Sequence, residues 1–231
     1  MPAFSLSSSI ASSLTGCLSM YSFILILLLS CDNARATSKH LTHVTCGSVI
    51  KLVNANFMTK LHSHDVKYGS GSGQQSVTGT DDADDGSSYW QVKGSTDGAC
   101  RRGSPIKCGD SVRLTHLGTG KNLHSHLFSS PLSGEQEVSA FGTDGEGDTG
   151  DNWTVICATD VWQRDETVKF KHVDTERFLI MTGRTYGRPI SGHIEVVGSK
   201  YPDASAYWRT ADGVFVKPDD GSTINSLHDE L

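Results

Sequence analysis

Two histidine pairs, His62 with His64 and His124 with His126, lie two residues apart within matching LHSH stretches. In an extended strand such residues face the same side, so each pair has the spacing to chelate a metal ion or to bind a sugar hydroxyl. The corresponding third stretch reads Leu179-Ile180-Met181-Thr182 and has neither histidine. The leading leucine of each stretch belongs to a core strand, so structural or surface hydrogen bonding is the expected role, and no metal or cofactor is assigned.

Other candidate chemistry is weaker. The glycine-rich run Gly69 to Gly73 has the composition of a phosphate cradle, but no Gly-Lys-Ser/Thr follows it, and Gly120-Lys121 is followed by Asn122. Both read as tight strand connections. The acidic loops Asp81 to Asp85 and Asp144 to Asp151 hold matching places before Trp90 and Trp153. They lack the oxygen spacing of a calcium loop and read as solvated turns with a surface suited to basic segments of a partner. Asn152-Trp153-Thr154 matches a glycosylation acceptor, but its middle residue is expected in the core. No nucleophile elbow or paired-carboxylate pattern accompanies the many serines and histidines, so no catalytic residue is assigned and the chain reads as not an enzyme.

The elements that must position these residues recur three times. Val49-Ile50-Lys51-Leu52, Val112-Arg113-Leu114-Thr115 and Val168-Lys169-Phe170-Lys171 precede the three stretches, and Trp90, Trp153 and Trp208 follow them. From Val49 to Val112 is 63 positions and from Val112 to Val168 is 56, long for a solenoid unit. Within each unit, alternating apolar residues broken by turn residues predict four short strands. In the first unit these are Ser48 to Val53, Met58 to His62, Gln74 to Thr78 and Tyr89 to Val92. The expected repeats span 41–95, 104–159 and 160–214. Three four-stranded units give twelve strands and an all-β fold, a β-trefoil, because closing three units together hides edges that one alone would expose. A seven-stranded sandwich is the alternative, and it offers no reason for the triple pattern.

Charge and the two ends bound the function class. The 231 residues carry 20 basic and 26 acidic side chains, a net charge of -6, without the basic stripe that nucleic-acid binding needs. Leu18 to Leu29 is an apolar run of signal-peptide length, with cleavage expected after Ala36, so residues 1–36 are set aside and the chain is not expected to span a membrane. The last four residues, His228, Asp229, Glu230 and Leu231, read HDEL, a receptor-read retrieval signal, on a polar tail over 218–231. Together they point to the lumen of the endoplasmic reticulum. Cys46, Cys100, Cys108 and Cys157 remain after the signal, and repeat symmetry favours Cys46 with Cys100 and Cys108 with Cys157. A short Cys100 to Cys108 link is the competing pairing.

The segments CGSVIKL, YGSGSGQQSVTG, GKNLHSH, QEVSAFGTDGEGD and YGRPISGHIEVVG, with the terminal HDEL, resemble the stromal cell-derived factor 2-like proteins. That family is built of MIR motifs, shared with protein O-mannosyltransferases and with inositol trisphosphate and ryanodine receptors. The likeness runs from about Thr45 to Pro218. It implies a lumenal chaperone cofactor that associates with a J-domain cochaperone and the lumenal Hsp70 and holds misfolded client proteins soluble in quality control. A lectin-like module for O-mannosylated glycans is the alternative, with His62, His64, His124 and His126 as its binding candidates. Leu179-Ile180-Met181-Thr182 departs from the LHSH pattern and puts threefold use of those histidines in doubt.

Overall fold

Alternating Val, Ile and Leu residues build strands whose inner faces meet across a single core, and these strands close on themselves. The structure, a computed structural model, describes residues 42–218. The expected signal segment and the HDEL residues lie outside the described residues. The strands are β1 (Val49–Asn54), β2 (Lys60–Lys67), β3 (Gln75–Thr80), β4 (Trp90–Gly94), β5 (Ser111–His116) and β6 (Asn122–Ser129). They continue with β7 (Gln136–Phe141), β8 (Trp153–Ile156), β9 (Lys169–His172), β10 (Phe178–Thr185), β11 (Ile194–Ser199) and β12 (Trp208–Val214). The helical elements among the described residues are short 3-10 turns such as Thr149–Asp151 and Ala204–Ala206, and none is long and apolar enough to cross a membrane.

Antiparallel pairing runs β1–β4, β4–β5, β5–β8 and β8–β9, and β12 returns to β1. A bridge between Val168 and Trp208 joins the approach to β9 with β12, which completes a ring of six strands. The other six form the hairpins β2–β3, β6–β7 and β10–β11. Their inner strands β3, β7 and β11 each pair with the other two. Among the described residues closure leaves no long unpaired edge, which is how an all-antiparallel fold avoids edge-to-edge association.

The repeated anchors meet inside. Trp90, Trp153 and Trp208 are fully buried, and each indole N–H donates to a backbone carbonyl at 2.9 Å: Leu61, Leu123 and Leu179 respectively. Each bond satisfies a buried donor that would otherwise cost about 1–3 kcal/mol. Val77, Val138 and Val196 fill the matching places on β3, β7 and β11. The opposite end of the ring is sealed by three short segments in cyclic order. Val44 N–H donates to Trp162 O at 2.9 Å, Trp162 N–H to Ile106 O at 2.8 Å, and Ile106 N–H to Val44 O at 3.0 Å. Trp162 stacks edge-on against Phe170 at 5.4 Å between ring centroids.

One local difference from the sequence expectation has a physical cause. β2, β6 and β10 extend to Lys67, Ser129 and Thr185, well beyond the apolar alternation, because their outer halves are solvated and held only by hairpin pairing. All three carry a register shift at the same place, between Ser63 and Lys67, Ser125 and Ser129, and Met181 and Thr185. The cysteines form Cys46–Cys100 and Cys108–Cys157, with Cα separations of 5.9 and 5.4 Å. Where the third four-strand set has no cysteine, the Arg164 guanidinium lies 3.5 Å from the centre of the Phe215 ring.

Candidate functional site

His62 and His64 emerge on one face of β2, the first buried and the second half-buried. His62 Nδ1 bonds Asp85 Oδ2 at 2.9 Å, which directs its Nε2 toward His64 Nδ1 at 2.7 Å. On β6, His124 Nδ1 meets Asp151 Oδ1 at 2.9 Å and its Nε2 faces His126 Nδ1 at 2.9 Å. The chain thus carries two aspartate–histidine–histidine relays. In the third set, Ile180 takes the first histidine's place and packs on Val197 and Ala206. The sequence places these histidines correctly in pairs, but it does not reveal their aspartates.

The reading of both acidic loops as solvated turns needs correction. Asp81, Asp82 and Asp84 are exposed, yet Asp85 turns inward, and Asp151 is fully buried. The cause is a backbone device: Asp85, Asp148 and Asp203 each accept the N–H of the residue two positions on, Ser87, Gly150 and Ser205. In the first two sets this turn sets a carboxylate against the buried imidazole, Asp85 on His62 and Asp151 on His124. Burial pushes the Asp85 carboxyl up, but bonds from Ser88 Oγ, His62 and the Ser87 N–H outweigh it and leave the group below its ordinary value. Asp151 is held further by Asn122 Nδ2 and the Asp148 N–H, both at 3.0 Å.

A second histidine set escaped the sequence reading. His116 Nε2 donates to Ser87 O at 2.9 Å, and His172 Nε2 to Gly150 O at 2.8 Å; Asn54 Nδ2 does the same to Ser205 O at 2.6 Å. Each links the start of one four-strand set to the end of another. Burial pushes the pKa of His116 and of His172 down, only partly countered by these bonds. His193 was missed as well. It stands at the entrance to β11, 4.9 Å from His62 between ring centroids, with Nδ1 on Thr78 Oγ1 at 2.9 Å. A lone histidine beside a glycine gives no periodic signal, so only tertiary pairing could find it.

The glycine-rich loop cradles an anion of the chain's own. Ser72 N–H and Oγ both donate to the Glu137 carboxylate, and a Cβ at Gly71 would lie 2.0 Å from its Oε2. The requirement is for close approach as well as for the positive φ of 71° at Gly71. Asn152 is buried, with Oδ1 accepting the Thr96 N–H at 2.9 Å, so the folded chain does not present that acceptor motif to solvent. Beside the second relay lies a cleft of about 360 Å³ lined by His124, His126, Leu127, Asp148 and Asp174. Leu127, in its wall, is 88% exposed, and the next residue, Phe128, is 46% exposed and stacks on His126 at 4.6 Å between ring centroids.

The MIR domain pattern matches residues 60–180. Stromal cell-derived factor 2 of Bos taurus is 56% identical over 194 residues, 84% of this chain and 92% of the relative. A solved SDF2-like protein from Arabidopsis thaliana is 43% identical with a TM-score of 0.75, covering 77% of this chain and 99% of that one. The S. cerevisiae protein O-mannosyltransferase Pmt1-Pmt2 complex, solved bound to its sugar donor, matches at 25% identity and a TM-score of 0.69, over 78% of this chain and 27% of that one. With matching strands, buried tryptophans and this extent of identity, the chain belongs to the stromal cell-derived factor 2 family of MIR-domain proteins.

Proposed function

We propose that the chain is a non-catalytic chaperone cofactor of the endoplasmic-reticulum lumen, folded as a β-trefoil of three MIR repeats. It binds a J-domain cochaperone with the lumenal Hsp70 and caps misfolded clients, and the HDEL tail returns the assembly. The six-strand ring with its three hairpins supports the trefoil reading. The observation that carries partner binding is exposed Leu127 in the wall of the cleft with Phe128 beside it on His126, an apolar surface next to polar groups of the kind that anchors protein contacts.

The test is affinity capture from lumenal extract with the HDEL-bearing protein. Recovery of a J-domain protein and Hsp70 in near-equal amount supports the reading, and recovery of glycans alone overturns it. The mannosyltransferase likeness favours a second reading, a lectin-like module. Titration with O-mannosylated peptide would support that one if changing His124 or His62 abolished binding.

A further inference from the structure

We propose that His62, His64 and His193 form a binding site for one zinc ion where β2 meets the entrance to β11. One nitrogen from each imidazole lies within 4.8 Å of the others. The backbone gathers them around a single residue of β3: Thr78 pairs with His62 on one side and with Glu195, two residues after His193, on the other. Three imidazoles with an open fourth position are a donor set that zinc accepts, the remaining place going to water.

The supporting bonds are those of a metal site. Asp85 holds Nδ1 of His62 and Thr78 holds Nδ1 of His193, so both rings are left with Nε2 as the available donor. Partners of this kind fix ring orientation and raise ligand basicity. His64 already aims Nδ1 at His62 Nε2, 2.7 Å away. Two nitrogens on one tetrahedral zinc sit roughly 3.3 Å apart given bonds of about 2.0–2.1 Å. That contact therefore has to open by only about half an ångström, and the half-buried His193 has to swing inward. The second relay does not qualify, since Asp151 is already committed to Asn122 and the Asp148 amide.

Zinc titrated calorimetrically into the full chain, purified without a histidine tag, should bind with one equivalent at this site and raise the melting temperature. His64→Gln and His193→Gln should each weaken binding about tenfold or more, and His126→Gln should leave it unchanged. His62 is kept intact because it supports the Asp85 loop. Failure of the wild type to bind at sub-millimolar zinc, or weakening by only one of the two variants or by neither, overturns the proposal.

Discussion

Glu195 gathers four hydrogen bonds on one fully buried carboxylate: from Ser130 Oγ, from the Leu132 and Ser133 amides at 3.1 and 3.0 Å, and from Thr182 Oγ1 at 2.8 Å. Glu195→Ala should lower unfolding stability by about 2 kcal/mol or more in urea titration, because it removes one acceptor from four donors at once and leaves buried Ser130 without its partner. His116 and His172 carry a pH consequence. Their folded pKa values lie below the ordinary 6.5, so the unfolded chain takes up protons first on acidification. Their contribution is therefore complete above about pH 6.5 and is lost as pH falls through the lowered values. His116→Asn copies the residue that Asn54 supplies at the matching place, so the variant should fold and should flatten the loss of melting temperature below pH 6.5. The paired histidines were legible because alternation marks a strand face. Asp85 was not: it is the last of a run of acidic residues, and composition does not say which of them turns inward.

At the scale of elements, the three four-strand sets are closed by unequal means. The Cys46–Cys100 and Cys108–Cys157 bridges span 54 and 49 residues. Loops of that size give about 4 kcal/mol each in the chain-entropy account. The third set relies on Arg164 over Phe215, worth about 1 kcal/mol. Replacing Cys108 and Cys157 together by serine should cost about 2–4 kcal/mol, whereas Arg164→Ala should cost about 1 kcal/mol, both read from denaturant unfolding. Native-state hydrogen exchange should accordingly be fastest at β9 and β12 among the ring strands. Strand number and order were legible from the spaced valines and tryptophans. The outer halves of β2, β6 and β10 were not, because solvated residues there follow no apolar period. Trp162 was also silent, since its role exists only when Val44 and Ile106 meet it.

At the scale of the molecule, Leu127 is the most exposed of the large apolar side chains among the described residues, and Phe128 follows it in sequence. Changing both to serine should leave stability within about 0.5 kcal/mol, as for other exposed sites. It should nevertheless reduce recovery of the proposed J-domain partner in the capture assay. Equal recovery would move the contact to another face.

The pairing of Val49 with Val214 sets when the fold can finish. As the polypeptide is made from its amino terminus, β1 waits through most of the described chain for β12, and the six-strand ring stays unsealed until β12 has emerged. Such late completion leaves apolar strand faces uncovered through most of synthesis, the condition under which long-range β folds are slow to form and prone to aggregate.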